Sequence, residues 1–428
     1  MAAKRGGRVC VVGLDGVPVG LLSRLAQSGV MPNMARLIGQ GHLHQMKASL
    51  PEISSVSWTS FMTGANPGQH GVFGFTDLQD RSYRVRFPNY NDVKIPTIWD
   101  RLAERGRKSI VINQPSTYPA RKIEGALVSG FVAIELARAV HPLTHLAALE
   151  KMGYRIDVDM QKGRAEKAAL WRELDETLDS GRRAFDYFWP QEWDYFEFVV
   201  TGTDRLHHIL YPAGEDESHP AHGMFRDYYR KVDQLVGDVA NRFGEANGGL
   251  DGLFMLSDHG FTTIEQEVHL NTWLEQAGFL KFDSPEPEKL VDIGPGTRAF
   301  ALDPNRIYLN LKGKYPRGVV APADKKSLKQ EIAAAVRELR CDGKPVVREV
   351  FDCEEIYTGP LIPKGPDLVV LAHNGFDMKG AVGKKELFVR TDLVGMHTWD
   401  DAFFWSMRDH GSELTIYDLA PILLEGVA

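Results

Sequence analysis

The sequence has few cysteines, no long apolar run and no excess of basic residues over acidic ones, and each of these features argues against a class of protein. Its three cysteines, Cys10, Cys341 and Cys353, do not make a disulfide framework. No stretch reaches the roughly 18 apolar residues that a membrane-spanning helix needs, and Val9 to Val12 is too short for the core of a signal peptide. The net charge of -7 argues against a nucleic-acid-binding surface. We therefore expect a soluble, cytoplasmic protein with no membrane or nucleic-acid partner.

What the sequence does contain is typical of a large globular protein. Of its 428 residues, 43% are hydrophobic and 10% are aromatic. This length predicts two or three folding units, or one large α/β domain with insertions. The 14 histidines are potential metal ligands, and bound metal ions would allow an acidic chain to accept a small anionic substrate.

Apolar strand patterns alternate with amphipathic helical patterns along most of the chain. The patterns predict strands at 8–14, 108–113, 195–200 and 253–256, and helices at 18–26, 97–105, 165–189 and 225–243. This alternation is typical of a mostly parallel sheet that is covered by helices on both faces.

The stretch from about 271 to 385 has a different character. It contains a Pro-rich segment at 284–287, an amphipathic helix around 328–339 and short strand patterns at 347–351 and 367–371. We interpret residues 271–385 as a smaller inserted domain. The core would then be discontinuous and would comprise residues 1–270 and 386–428.

The most informative local feature is the end of the apolar run Leu253 to Leu256, which stops at Ser257-Asp258-His259-Gly260. Ligands bind at the carboxyl ends of strands in α/β proteins, and adjacent Asp and His can supply an oxygen and a nitrogen to a divalent metal. Asp15 repeats the position of Asp258 after the first strand. A helix cap or a turn is the alternative for an isolated Asp-His pair.

Further candidate ligands follow the third predicted strand and lie near the C-terminus. Asp204 and His208 are four residues apart, so a helix beginning there would place both on one face, where they could hold a metal or form a surface ion pair. His207 would face elsewhere. His397 lies in a polar segment that we expect to be a loop, where a surface histidine is the default interpretation.

A hydroxyl-rich segment from Leu50 to Gly64 forms another predicted junction between a strand and a helix. Helix N-termini expose free N–H groups that favour anions, so a serine there could lie beside a phosphate and be activated by a metal. An ordinary serine N-cap is the alternative interpretation.

Taken in order, these motifs resemble the alkaline phosphatase superfamily, specifically its type I phosphodiesterase and nucleotide pyrophosphatase branch, which includes many bacterial predicted phosphohydrolases or phosphomutases. The resemblance is carried by VVGLDG at 11–16, MPNMARL at 31–37, PEISSVSWTSFMTGANPGQHG at 51–71, TDRLHH at 203–208, LSDHGF at 256–261 and GMH at 395–397. It implies an α/β/α three-layer sandwich with a mostly parallel central sheet and an inserted cap.

The resemblance also implies a site that binds two divalent metal ions, usually zinc in this family, and a small phosphorylated substrate. The mixed oxygen and nitrogen ligands would also suit manganese. The residues of this site fall into two groups: Asp15, Ser54, Asp258 and His259 around one ion, and Asp204, His208 and His397 around the other. Ser54 would be the nucleophile, because the family nucleophile stands nine residues before the Thr of a Thr-Gly pair, here Thr63. The implied activity is phosphodiester hydrolysis through a phosphoserine intermediate.

Three alternatives accompany this prediction. A sulfatase is disfavoured because the segment from Ser54 to Trp58 lacks the Pro and Arg of the sulfatase motif. A phosphomutase could use the same metal site and would return the phosphoryl group to its substrate beneath a closing cap. A metal-binding regulatory protein without turnover is disfavoured by the complete set of candidate residues.

Overall fold

A nine-stranded sheet, here called the central sheet, runs through the molecule, and the computed structural model describes residues 7–427 around it. Its strands are, in spatial order, Leu414–Thr415, His42–Lys47, Ala402–Ser406, Leu253–Leu256, Val9–Leu14, Tyr195–Val200, Ser109–Gln114, Gly125–Ser129 and Val140–His141. The five strands from Leu253–Leu256 to Gly125–Ser129 are parallel. The mostly parallel sheet predicted from the sequence is confirmed.

Helices cover both faces of the central sheet. One face packs against Val19–Gln27, Pro32–Gln40, Lys167–Phe188, Gly202–Leu210 and His222–Asn247, and the other against Ser54–Thr63, Ile98–Ala103 and Leu419–Gly426. Alternate residues of the first strand enter different cores: Val12 belongs to the first and Val11 to the second. Both faces of this strand are therefore buried, which explains why it reads as a continuous apolar run.

A second, four-stranded antiparallel sheet, here called the cap sheet, lies between residues 299 and 372. Its strands are, in spatial order, Ala299–Leu302, Arg306–Leu309, Leu368–Ala372 and Val347–Asp352. The helix Lys325–Arg337 contributes Leu328, Ile332 and Val336 to the same hydrophobic cluster as this sheet. After Leu368–Ala372 the chain leaves the cap sheet, and its next strand, Phe376–Lys379, pairs in parallel with Gln266–His269.

A two-stranded antiparallel ribbon connects the end of the central sheet with the C-terminal part of the chain. Gly260–Thr263 pairs with Gly395–Thr398, and Phe261 lies opposite His397 in the register. The segment around His397 is therefore a strand, and the prediction of a loop was wrong. This segment is ordered by its pairing with Gly260–Thr263, the strand just after Asp258 and His259, although its polar sequence does not predict a strand.

The remaining helices are short. They are Pro67–His70, Leu136–Ala139, Leu146–Lys151, Met160–Ala165, Pro212–Glu215, Leu270–Gln276 and Cys353–Ile356. Within residues 7–427, no helix combines the length and the apolar character needed to cross a membrane. The three cysteines are buried free thiols.

Candidate metal centre and active site

Three aspartates meet where the carboxyl ends of adjacent central strands come together. They are Asp15 after Val9–Leu14, Asp258 after Leu253–Leu256, and Asp204 in the helix that follows Tyr195–Val200. The first of these strands pairs in parallel with both of the others, which brings their carboxyl ends to one edge of the sheet. All three carboxylates are buried.

Two glycines allow the backbone to pack closely around Asp15. At Gly13, a Cβ atom would lie 2.6 Å from the Trp58 ring, so glycine lets this ring approach the strand and donate from Nε1 to Asp15 Oδ2 at 3.0 Å. Gly16 has a φ of +66°, in the left-handed region that favours glycine, and its N–H donates to Asp258 Oδ1 at 3.1 Å. The glycines of the VVGLDG motif thus orient two carboxylates.

Asp15, Asp258 and His259 form one group of potential metal ligands. His259 Nε2 lies 3.3 Å from Asp258 Oδ2 and 3.7 Å from Asp15 Oδ1. One donor atom from each residue lies within 4.8 Å of the other two. Ser54 joins this group, because its Oγ lies 3.1 Å from His259 Nε2.

Asp204, His208 and His397 form the other group. Asp204 Oδ1 is 3.2 Å from His397 Nε2 and 3.5 Å from His208 Nε2. Asp204 and His208 share one face of the helix Gly202–Leu210, as their spacing predicted. His259 Nε2 lies 4.0 Å from Asp204 Oδ1, so the two groups adjoin. The structure thus brings all seven sequence-predicted site residues together.

Hydrogen bonds to backbone carbonyls fix the orientation of the three candidate histidines. Their Nδ1–H groups donate at 3.0, 3.1 and 2.9 Å to carbonyl oxygens, in the pairs His208 to Gly395, His397 to Glu52, and His259 to Gly260. Each Nε2 is then an acceptor directed towards the carboxylates. Burial lowers the pKa of all three, that of His259 to about 4, which favours the neutral form that binds metals.

The arrangement brings electron-rich atoms close to one another. Each aspartate has one oxygen that accepts a hydrogen bond and one buried oxygen, Asp15 Oδ1, Asp204 Oδ1 or Asp258 Oδ2, that has no hydrogen-bond partner within residues 7–427. The Nε2 acceptors of His208 and His397 are also only 3.2 Å apart. Buried groups of this kind need compensation, and a mixed oxygen and nitrogen donor set suits zinc or manganese. The residues therefore fit divalent metal ions.

The carboxylates also perturb one another electrostatically. Burial, reinforced by the charges of Asp258 and Asp204, raises the pKa of Asp15 well above its usual range. Burial and Asp204 likewise raise the pKa of Asp258. Burial acts in the same direction on Asp204, but His208 and Arg205 hold its pKa well below the usual range. Positive charge at the centre would relieve this repulsion.

Ser54 is the first residue of the helix Ser54–Thr63, and its side chain is buried. The backbone N–H groups of Ser54 and Ser55 have no hydrogen-bond acceptor in the described part of the chain, as expected at a helix N-terminus. Ser55 Oγ has no hydrogen-bond partner there either. Ser54, and not Ser55, thus places its hydroxyl against a candidate metal ligand.

Sequence reasoning missed the buried Arg205. Its Nη1 donates to Asp204 Oδ2 at 2.5 Å, while Nε and Nη2 donate to the two oxygens of Asp157 at 3.0 and 2.8 Å. This arginine therefore holds one oxygen of Asp204 and leaves the other for the centre. The only indication of this role in the sequence was that Arg205 is charged and stands next to Asp204. No sequence pattern relates Asp157 to the helix Gly202–Leu210.

His207 has a structural role, in agreement with the prediction that it faces elsewhere. Its Nδ1–H donates to the carbonyl oxygen of Gly16 at 2.8 Å, and its Nε2 accepts from the Tyr229 hydroxyl at 2.8 Å. Both ring nitrogens are therefore occupied. The histidine supports the turn that contains Asp15 instead of contributing to the centre.

A cleft of about 370 Å³ extends from His208 and His397 towards the cap sheet. Its polar lining includes Glu52, whose carboxylate accepts from Asn305 Nδ2 at 3.1 Å. Burial, with a smaller contribution from Asp377, raises the pKa of Glu52 to about 7. Sequence reasoning did not identify this cleft, because Glu52 and Asn305 are 253 residues apart.

Comparisons with known proteins identify a family and a fold for the chain. The model of the family described as type I phosphodiesterase / nucleotide pyrophosphatase matches residues 9–400. No curated protein matches the chain.

Among solved structures, the fold is similar to that of phosphonoacetate hydrolase from Sinorhizobium meliloti 1021 in complex with phosphonoformate, with a TM-score of 0.66 and 13% identity over 99% of this chain and 96% of that one. It is also similar to inactive murine ectonucleotide pyrophosphatase / phosphodiesterase 5 in complex with AMP, with a TM-score of 0.57 and 13% identity over 98% and 95% of the two chains. Alkaline phosphatase PafA has a TM-score of 0.57 and 12% identity over 99% and 97%. Such low identities establish a common fold and no more.

Proposed function

The chain belongs to the type I phosphodiesterase / nucleotide pyrophosphatase family and is a phosphoester hydrolase, and we propose that it is a two-metal phosphodiesterase that acts through a phosphoserine intermediate on Ser54. The resemblance inferred from the sequence motifs is thereby confirmed at the level of the family. The individual residues, the number of ions and their identity as zinc or manganese are part of the proposal.

The single observation that carries the proposal is the position of Ser54 beside His259, whose Nε2 lies within 4.0 Å of the three unpartnered carboxylate oxygens. Its hydroxyl lies 3.1 Å from His259 Nε2, and His259 adjoins both groups of candidate ligands. When bound, two divalent metals would lower the pKa of the serine hydroxyl and neutralise charge on the phosphoryl oxygens. Asp15, Ser54, Asp258 and His259 would hold one ion, and Asp204, His208 and His397 the other.

Ser54 supplies the nucleophile in this reaction. Its Oγ forms a bond to phosphorus while the bond between phosphorus and the departing alcohol oxygen breaks on the opposite side. The proton that Ser54 Oγ loses is balanced by the proton that the departing alcohol oxygen gains. The oxygen of a water molecule then forms a bond to phosphorus while the bond between Oγ and phosphorus breaks, one proton of the water returns to Oγ, and a phosphomonoester is released.

The helix N-terminus positions the phosphoryl group. The free N–H groups of Ser54 and Ser55 can donate to its non-bridging oxygens, and the dipole of the helix Ser54–Thr63 favours an anion at this end. The buried Trp58 and His259 leave little room for bulk water beside the serine. The chain thus holds its nucleophile and the phosphate in one fixed arrangement.

The cleft beside His208 and His397 supports a diester over a monoester. At about 370 Å³ it has room for an organic substituent in addition to a phosphoryl group. A monoester carries one organic substituent instead of two, so part of this space would remain empty after its phosphate has bound at the centre.

The test of the proposed function is a comparison of p-nitrophenyl phosphate with a p-nitrophenyl phosphodiester, using protein loaded with zinc or with manganese. We expect the diester to be hydrolysed with the higher kcat/KM and metal analysis to find about two ions per chain. A parallel reaction with a sugar phosphate, which has free hydroxyl groups, tests the alternative: movement of its phosphoryl group to another hydroxyl would identify a phosphomutase. Metal-loaded protein that is inert towards every phosphoester would contradict the proposal and favour a regulatory role.

A second prediction concerns Arg205 as a residue that positions Asp204. Arg205→Lys keeps the positive charge but cannot hold Asp157 and Asp204 with one planar group, so we expect kcat/KM or metal affinity to fall about 10- to 100-fold. Metal titration and steady-state kinetics measure the effect. Arg298→Lys is the matched control, since Arg298 makes a similar two-bond contact with Glu331 at the surface. Equal effects of the two substitutions would contradict this role.

A further inference from the structure

The cleft beside the candidate centre is lined by an excess of acidic groups. Its charged residues are three carboxylates, Glu52, Asp303 and Asp377, and one ammonium group, Lys379. Its remaining lining is largely apolar and includes Phe75, Phe376 and Met378. An acidic cleft is unexpected in a protein that binds anionic phosphoesters, because it repels further negative charge on the substrate.

Lys379 is the only Lys or Arg that lines the cleft within residues 7–427, and it is already paired with a carboxylate. Its Nζ lies 2.7 Å from Asp377 Oδ2, and both residues belong to the strand Phe376–Lys379. This pair leaves Glu52 and Asp303 as the carboxyl groups of the lining that form no ion pair within residues 7–427, and a cation bound beside Glu52 would favour its charged form. Asp303 is exposed and accepts a hydrogen bond from the Gly380 N–H.

Hydrogen-bond acceptors also outnumber donors around Glu52. Its carboxylate is contacted only by the Asn305 amide, at 3.1 and 3.3 Å, among the residues that the structure describes. Asn305 Oδ1 is itself buried and has no hydrogen-bond partner there. These two side chains therefore offer acceptor oxygens without a matching donor, next to the backbone carbonyl of Glu52 that orients His397.

We propose that the second substituent of the phosphodiester carries an ammonium group, which binds at Glu52 and Asn305 while the phosphate binds at the metal centre. This inference rests on the proposed function. The metal centre then binds the anionic phosphate, and Glu52 and Asn305 bind the cationic ammonium group. The site therefore selects a zwitterionic ester of an amino alcohol. Esters with further anionic groups are disfavoured, because their charge would face Glu52 and Asp303.

The test uses three p-nitrophenyl phosphodiesters that share one leaving group and differ in the second substituent: aminoethyl, propyl or carboxymethyl. The propyl ester matches the aminoethyl ester in size but lacks the charge. With metal-loaded protein we expect kcat/KM for the aminoethyl ester to exceed that for the propyl ester about 10- to 100-fold, the range of a charged hydrogen bond. The carboxymethyl ester should be the poorest substrate.

The variant Glu52→Gln identifies the residue responsible. We expect it to lower the ratio of the two kcat/KM values, aminoethyl over propyl, about tenfold or more. Because both rates are measured on one sample, this ratio does not depend on how much of the variant is folded. Glu338→Gln, at an exposed position in the chain, is the matched control and should keep the ratio of the original protein.

The outcomes separate this inference from the proposed function. Equal rates for the three esters, a preference for the carboxymethyl ester, or an unchanged ratio in Glu52→Gln would overturn the inference and leave phosphodiester hydrolysis standing. Hydrolysis of none of the three, with the metals bound, would overturn both. Preference for the aminoethyl ester that is lost in Glu52→Gln and kept in Glu338→Gln would support both.

Discussion

Replacing Ser54 with alanine is expected to lower kcat for phosphodiester hydrolysis by about 10⁴-fold or more. The substitution removes the hydroxyl oxygen that lies 3.1 Å from His259 Nε2 and that we propose attacks phosphorus, while the carboxylates and histidines keep their positions. Metal content should stay at about two ions per chain, because six other candidate ligands remain. Steady-state kinetics and metal analysis of the same sample measure both quantities.

Ser55→Ala is the matched control for this experiment. It removes a neighbouring hydroxyl from the same helix, but Ser55 Oγ contacts neither His259 nor any other hydrogen-bond partner within residues 7–427. We expect its kcat to stay within about threefold of the original value, as for loss of a hydroxyl that makes no hydrogen bond. Full activity of Ser54→Ala, or equal losses in both variants, would contradict the assignment of the nucleophile.

Removal of the metals with a chelator is expected to have the second large effect, abolishing activity and lowering the Tm by on the order of 10 °C. Without cations, Asp15, Asp204 and Asp258 face one another through oxygens that have no hydrogen-bond partner. Thermal unfolding before and after chelation, with restoration by zinc or manganese, measures the effect. An unchanged Tm would argue against metals at this centre.

The loss of stability on chelation should grow as the pH rises. Burial raises the pKa of Asp15 and of Asp258 in the folded protein. The folded state then binds more protons at these two carboxyl groups than the unfolded state does. Above about pH 6.5, where the three candidate histidines are neutral in both states, the stability of the metal-free protein therefore falls as the pH rises to about 8. The bound metals should remove most of this dependence.

Asp258→Asn tests the electrostatic origin of that loss. In the metal-free protein it removes one of the repelling carboxylates, so the variant should be more stable than the metal-free original at about pH 8, although inactive. Asp233→Asn is a control, because Asp233 is a buried carboxylate that instead accepts hydrogen bonds from the backbone N–H groups of Asn33 and Met34. That variant should be less stable than the original at the same pH.

Some residues of the candidate site could be predicted from the sequence pattern and others could not. Asp15 and Asp258 were recognisable because each follows a continuous apolar run, and a strand buried on both faces produces such a run wherever it occurs. Asp204 and His208 were recognisable from their helical spacing. His397 had no such context, since its strand is ordered by antiparallel pairing with Gly260–Thr263.

Two strands near one edge of the central sheet were also missed. His42–Lys47 is a polar, partly exposed segment, so it shows neither a continuous apolar run nor a clear alternation. Its partner Ala402–Ser406 is apolar and buried, but it lies antiparallel to its neighbours and outside the alternation of strand and helix on which the prediction was based.

The sequence by itself determined the class of fold, the family and the residue types of the centre, because strand ends, helix spacing and ordered motifs are local properties of the chain. Only the tertiary structure decided how these residues combine. It paired Arg205 with Asp157, left one oxygen of each aspartate without a partner, and brought Glu52 within hydrogen-bond distance of Asn305. Such contacts join residues that are distant along the chain, and their chemistry depends on distances and burial that no local pattern encodes.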